Sequence, residues 1–183
     1  GPFPADIFHA RFPHAYHGIS VADALHDIAD LFKYDIEPSR VAAFIIEPVL
    51  GEGGYVVPPA GFLQELREIC SHYGILLIAD EVQSGFGRTG RWFGIDHFGI
   101  TPDILTMAKG IGNGAPLAAV VTTPQIAQAL TSRIHFNTFG GNPVCCAIGK
   151  AVLEVIEREG LQANSMRVGE HLLAGLRRLQ EKH

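Results

Sequence analysis

Residues 75–79 read Ile-Leu-Leu-Ile-Ala, an unbroken apolar run that ends on Asp80 and the glycine-rich stretch Glu81-Val-Gln-Ser-Gly-Phe-Gly-Arg-Thr-Gly90. A strand with one wet face alternates apolar and polar residues. A strand that is apolar at every position reads as one covered on both faces, as in a parallel sheet. This run therefore predicts an α/β fold, a mostly parallel sheet flanked by helices. In open sheets of this kind ligands bind beyond the carboxyl ends of the strands. Asp80, at such an end, is a candidate site residue.

The remaining patterns alternate as that fold requires. Residues 1–18 carry Pro2, Pro4 and Pro13 among aromatics and read as an extended loop. Ser20 is placed to cap a helix over 21–33, with Ala24, Leu25, Ile28 and Leu31 on one face. A strand over 42–46 ends at Glu47-Pro48. Residues 59–73 set Phe62, Leu63, Leu66, Ile69, Cys70 and Tyr73 at helical spacing, and Gly74 stops the helix. Further strands are predicted at 75–79, 104–107 and 117–122. Pro124 opens a short helix, and Asn142-Pro143 starts a long one to about Glu159. Gly160 breaks it, and an amphipathic helix runs to the end.

A second motif names the chemistry. Lys109 stands in Asp103-Ile-Leu-Thr-Met-Ala-Lys-Gly-Ile-Gly-Asn-Gly114, just past an apolar strand. A lysine at the mouth of a buried strand is costly unless its amine has a task. The glycines at 110, 112 and 114 leave room for a flat ligand to approach the backbone. A Schiff-base lysine for a carbonyl cofactor needs that setting. The interval between Asp80 and Lys109 holds a loop and one strand, so both side chains can face one site. A pyridoxal phosphate enzyme needs both groups. The lysine holds the aldehyde, and the carboxylate keeps the pyridine nitrogen protonated so that the ring accepts electrons.

Four stretches in order carry a family resemblance: Ile46-Glu-Pro-Val-Leu-Gly-Glu-Gly-Gly54, Ile78-Ala-Asp-Glu-Val-Gln-Ser-Gly-Phe-Gly-Arg-Thr-Gly90, Thr106-Met-Ala-Lys-Gly110 and Phe136-Asn-Thr-Phe-Gly-Gly-Asn-Pro143. The chain resembles the central part of a class III (omega) aminotransferase of the pyridoxal phosphate fold-type I superfamily. The resemblance implies that residues 1–160 form part of a cofactor-binding large domain. It implies that 161–183 form a helix leading toward a C-terminal small domain absent from this chain. Lys109 and Asp80 take the catalytic roles. Val82 packs on the ring face, and Gln83 bonds the phenolic oxygen. Thr138 reaches the cofactor phosphate, usually of the partner subunit. Glu52 matches a glutamate that pairs with a C-terminal arginine and parts from it when a 2-oxo acid presents its carboxylate. Glu47, Glu81 and Arg88 take structural roles.

The implied reaction moves an amino group from an omega-amino acid, 4-aminobutyrate-like, to a 2-oxo acid such as 2-oxoglutarate, in a homodimer or homotetramer. Two alternatives stand beside it. One is an alanine–glyoxylate type aminotransferase or related phospho-lyase, which the segments 107–114 and 135–141 resemble. The other is a non-catalytic fragment that binds cofactor or a partner chain.

Composition narrows the classes. Hydrophobic residues at 47% and charged residues at 18% fit a packed interior. A net charge of −5 without a basic run argues against nucleic acid. No apolar run is long enough to span a membrane. The start at Gly1-Pro2, without methionine or a visible signal peptide, suggests a processed chain or a piece of a longer product. Three cysteines, two of them adjacent, argue against a disulfide framework; they read as small reduced core residues, and the compartment as cytoplasmic. Of the nine histidines, His14 and His17 have a ligand-like spacing, but Pro13 and Gly18 argue against a helix there, and no metal is expected.

Overall fold

The structure, a computed structural model, describes residues 4–131 and 136–183. Residues 1–3 of the expected N-terminal loop, and His135 of the 135–141 segment, lie outside the described residues. Four strands form one sheet in the order β1 (Ala43–Ile46), β2 (Leu76–Asp80), β3 (Ile104–Met107) and β4 (Ala119–Thr122). The first three run parallel, and β4 runs antiparallel to β3. The mostly parallel sheet read from 75–79 is thus what the chain forms. β4 is two residues shorter than expected. Residues 115–117 are held in a turn, where Leu117 N–H donates to the Ala115 carbonyl at 2.9 Å.

Helices α1 (Val21–Asp30) and α2 (Phe62–Tyr73) cover one sheet face. Ser20 caps α1 reciprocally: its hydroxyl accepts from Asp23 N–H at 3.1 Å, and the Asp23 carboxylate accepts from Ser20 N–H at 2.8 Å. Two N-terminal donors are satisfied in one exchange. Beyond Asp30 the chain widens into a π-helical turn over Leu31–Asp35, closed by Ile36 N–H on the Leu31 carbonyl. The helix expected to 33 changes pitch there, and Phe32 packs edge-on against Tyr73 and Phe44. α2 begins at Phe62 and not at 59, because Gly61 stands at φ 91°, outside the helical region.

The core collects Ala24 and Ile28 from α1, Phe62, Leu63, Leu66 and Cys70 from α2, and Ile75, Leu77 and Ala79 at β2. Each large aliphatic side chain buried here contributes about 1.5–3 kcal/mol. Asp103, just before β3, ties this layer together. Its Oδ2 accepts from Arg67 Nη1 and from Leu77 N–H, both at 2.7 Å. Burial pushes the Asp103 carboxyl up, but the Arg67 and Leu77 hydrogen bonds and the Arg67 charge outweigh it and hold it below its usual range.

The C-terminal part holds α3 (Pro124–Gln128), α4 (Pro143–Arg158) and α5 (Leu161–Gln180). Asn142 caps α4, its Oδ1 accepting from Val144 N–H and Cys145 N–H. The cysteine expectation holds only in part. Cys70 is buried, and burial pushes its thiol up to about 11. Cys145 is half-buried and Cys146 exposed. They lie in the first turn of α4, a helix that buries only Gly149 and Ile156.

Candidate active site

The carboxyl ends of β1, β2 and β3 open on the same side of the sheet, because the three strands are parallel. Asp80 is the last residue of β2 and pairs in register with Thr106 of β3. Lys109 follows three residues later, where the chain leaves β3 and turns through Lys109–Ile111. Asp80 and Lys109 therefore leave adjoining strands at one edge. The antiparallel β4 returns beside them, with Met107 opposite Ala119.

Asp80 is half-buried. Its Oδ1 accepts from Val82 N–H at 3.0 Å, a turn in which the side chain bonds the backbone two residues on. This bond orients the carboxylate, and among the described residues no hydrogen bond engages Oδ2. Beside it, the Thr106 hydroxyl is buried with no hydrogen-bond partner among the described residues. An orphaned buried hydroxyl next to a strand-end carboxylate is uncommon in a settled interior.

Lys109 is exposed, which corrects the desolvation argument made from sequence. Its expense lies in the backbone. It stands at φ 47°, a left-handed conformation that costs a non-glycine residue about 1–2 kcal/mol. Two amides hold it there, since Gly112 N–H and Asn113 N–H both donate to the Lys109 carbonyl at 3.1 Å. Strain of this kind concentrates at ligand sites.

The glycines that follow differ in what their surroundings ask of them. A Cβ on Gly110 would touch Phe86 at 3.4 Å, and one on Gly112 would drive into the Ala115 carbonyl. Packing therefore requires glycine at 112, whereas the contact at 110 is an ordinary one. Only Gly114 is set by its φ of 104°.

Glu52 sits on a turn between Leu50 and Val56, which exchange backbone hydrogen bonds at 3.0 and 3.2 Å. Its Oε1 accepts from Gln83 Nε2 at 3.1 Å, so two expected site residues meet directly. Gly51 underlies that contact, for a Cβ there would displace the Gln83 amide. Gly51 N–H donates to Glu47 Oε2 at 2.9 Å, giving Glu47 the supporting role expected of it. Val82 lies half-buried between Asp80 and Gln83.

Thr138 is not drawn into this group. It occupies an exposed turn, where Phe139 N–H donates to Asn137 Oδ1 at 3.0 Å and Gly140 N–H to the Asn137 carbonyl at 3.1 Å. No hydrogen bond joins it to Asp80, Gln83 or Lys109 among the described residues. A cavity of about 550 Å³ borders the site at Gly110, between Phe86–Arg88 and the α4–α5 pair, but neither Lys109 nor Asp80 lines it. Sequence reasoning missed the Thr106 hydroxyl and the hydrogen bonds of Glu81; no pattern in the chain marks either. Among the described residues no group of three or more His, Cys, Asp or Glu is arranged to hold a metal ion.

The donor set fits the cofactor that the resemblance implies. A primary amine, an oriented carboxylate with one oxygen open, an amide side chain and an unpartnered hydroxyl edge the same strand ends.

The comparisons with known proteins agree. The whole chain, residues 1–183, matches the family described as Aminotransferase class-III. It is 46% identical over 183 residues to a 5-aminovalerate aminotransferase of Pseudomonas putida, covering all of this chain and 43% of that protein. It is 48% identical over 180 residues to alanine–glyoxylate aminotransferase 2 homolog 2 of Arabidopsis thaliana, covering 97% of this chain and 38% of that one. The crystal structure of a thermostable (S)-enantioselective omega-transaminase from Thermomicrobium roseum superposes with a TM-score of 0.92 at 40% identity, over 99% of this chain and 43% of that one. The chain thus spans less than half the length of these relatives. With a match over its full length, the shared fold and the Asp80–Lys109 arrangement, it belongs to the class III aminotransferase family.

Proposed function

We propose that the protein carrying this chain catalyses pyridoxal-phosphate-dependent transamination. It moves an amino group from an omega-amino acid, 4-aminobutyrate-like, to a 2-oxo acid such as 2-oxoglutarate. The observation that carries this reading is the placement of Asp80 and Lys109 at adjoining carboxyl ends of parallel strands. The likeness to a 5-aminovalerate aminotransferase supports the omega-amino donor.

When bound, pyridoxal phosphate supplies an electrophilic aldehyde carbon and a ring that accepts electrons from the substrate carbon. Lys109 Nζ would hold that aldehyde and, when free, would move the proton at the donor carbon. Asp80 keeps a proton on the ring nitrogen, with its plane set by Val82 N–H. Val82 would pack on the ring face and Gln83 would bond the phenolic oxygen. Glu52, bonded to Gln83, guards the substrate side and yields to an arriving carboxylate.

Thr138 serves a second copy in this reading. Its turn stands out between two exposed rings, Phe136 and Phe139, which suits a surface that meets another chain. The protein is accordingly a homodimer or homotetramer. Residues 1–160 act as part of the cofactor domain, and 161–183 as the helix leading away from it. Three free thiols suit a cytoplasmic setting, and among the described residues no helix is long and apolar enough to cross a membrane.

A second reading, an alanine–glyoxylate type aminotransferase, draws on the 48% identity to the Arabidopsis protein. The test is an amino-donor panel on the full-length protein with 2-oxoglutarate, pyruvate and glyoxylate as acceptors. Fast turnover of 4-aminobutyrate or 5-aminovalerate with 2-oxoglutarate supports the first reading. Turnover confined to alanine with glyoxylate replaces it by the second.

A further inference from the structure

Glu81 is a carboxylate with no exposed surface. Removing such a group from water costs several kcal/mol unless donors replace the lost hydration. Three do. Ser84 donates its hydroxyl to Oε2 at 2.6 Å, Gly94 N–H donates to Oε2 at 2.9 Å, and Ile95 N–H donates to Oε1 at 2.8 Å. Among the described residues the buried polar side chains are Glu81 and Ser84, and each is the other's partner. An apolar side chain would fill the same space without that cost, so the charge calls for a reason.

Its neighbours supply one. Glu81 N–H extends the sheet by donating to the Thr106 carbonyl at 2.9 Å, and Gly85 N–H donates to the Glu81 carbonyl at 3.1 Å. Gly94 seats so closely that a Cβ there would lie 2.9 Å from Ser84 Cβ and 3.3 Å from Pro48 Cβ. The Glu81 side chain thus locks the 81–85 turn to the 94–95 segment, while its backbone N–H ties the turn to β3. That turn presents the Val82 amide that orients Asp80 Oδ1, and the Gln83 amide that meets Glu52.

We infer that Glu81 is the positioning residue of this site: it fixes the turn whose Val82 amide aims the Asp80 carboxylate, and so sets how Asp80 meets the ring nitrogen of the cofactor. The inference rests on the pyridoxal phosphate reading above. In Glu81→Gln either orientation of the amide sets its NH2 group against a backbone N–H, because both oxygens are engaged. The turn then relaxes while side-chain volume is kept.

The experiment uses the full-length protein reconstituted with pyridoxal phosphate. It reads the visible absorption band of the lysine-bound cofactor, the pH at which that band titrates, the cofactor dissociation constant and the melting temperature. Leu63→Ala, a fully buried change in α2, is the control for lost stability alone. The expected result for Glu81→Gln is a dissociation constant raised about tenfold and a titration midpoint moved by about half a pH unit or more. Leu63→Ala should lower the melting temperature and leave the midpoint in place. If Glu81→Gln does not fold, Gly94→Ala displaces the 94 amide with the charge retained and is expected to move the midpoint likewise. A wild-type midpoint in the folded Glu81 or Gly94 variant overturns the inference, whatever its melting temperature. A wild-type protein without a visible band overturns the cofactor reading, and this inference with it.

Discussion

Leu63 and Leu77, where α2 lies on the sheet, are completely buried, whereas Leu172 and Leu176, one turn apart on α5, are more than half exposed. The contrast extends to whole regions. From α1 through β2 one buried cluster joins both helices to the strands, although Ile45, Tyr55 and Val57 stay open. From β4 onward Ile156 is buried, but Val120, Val121, Phe136, Phe139 and Val144 all lie open, and α5 buries nothing. The first region is shaped by what it covers. The second carries apolar surface of a kind that marks a contact with another chain or another part of the same protein. The site lies where the two meet, with Asp80 on the packed side and the Lys109 turn leading toward the open one.

The comparison breaks most visibly at the chemistry. If the proposed transamination holds, Lys109→Ala in the full-length protein should abolish covalent attachment of pyridoxal phosphate and transamination together, while the fold persists, because the side chain is exposed. Borohydride reduction followed by intact-mass measurement checks this. A cofactor still fixed to the Ala variant would assign the link to another lysine.

Asp80→Ala should come next in size. The cofactor stays bound and kcat falls about 10²–10³-fold, the scale of losing one preorganised electrostatic group at about 3–4 kcal/mol. Stopped-flow turnover beside a cofactor titration separates the two effects. Near-normal kcat in Asp80→Ala would remove the carboxylate from the mechanism.

The two regions were also unequally legible from sequence. The run 75–79 announced a strand of a parallel sheet, buried on the face of Leu77 and Ala79 and only half-buried on that of Leu76 and Ile78, and Asp80 at its end followed from the geometry of parallel sheets. Ser20 and Asn142 announced two helix starts, because capping is local chemistry. Glu81 could not be read this way. Its donors at Ser84, Gly94 and Ile95 come partly from a loop, and no periodicity reports where a loop amide will point. The left-handed backbone of Lys109 was hidden for the same reason, since positive φ is expected of glycine and not of lysine. Exposure of Cys146 escaped because helical periodicity shows an apolar face but not whether anything covers it.

Stability should divide along the same line. Leu63→Ala should cost about 2–5 kcal/mol, the range for a large core side chain cut to a methyl. Urea unfolding of this chain checks it, and a loss below about 1 kcal/mol would mean that the α2 layer repacks freely.

A smaller effect is expected at acid pH. Arg11 holds Asp27 through its side chain, Nε to Oδ2 at 2.8 Å and Nη2 to Oδ1 at 2.6 Å, and through its N–H. These hydrogen bonds, with the Arg11 charge, pull the Asp27 carboxyl from 3.8 down to about 2. A carboxyl lowered in the folded state adds stability that is present above about pH 4 and fades as pH drops through about 2. Asp27→Asn should therefore show a shallower fall in melting temperature between pH 4 and pH 2 than the wild type. Equal slopes would mean that the Arg11 contact does not persist in solution.

The smallest effect on stability is the sharpest test of the comparison. Leu172→Lys with Leu176→Lys changes two exposed positions on α5, so unfolding of the isolated chain should move by less than about 0.5 kcal/mol, as at other uncovered surface sites. Association should respond instead. Apolar side chains left open along α5 promote self-association of the 183-residue chain, and two lysines oppose it by adding charge that resists desolvation. Sedimentation velocity of both forms over a range of concentrations reads this directly. The expected result is a wild-type chain that grows heavier with concentration and a double variant that does not. A wild-type chain that stays monomeric would mean that these leucines need no cover. A large loss of stability in the double variant would mean that α5 is packed in solution, and the division between a self-covered and an open region would have to be redrawn at Gly160.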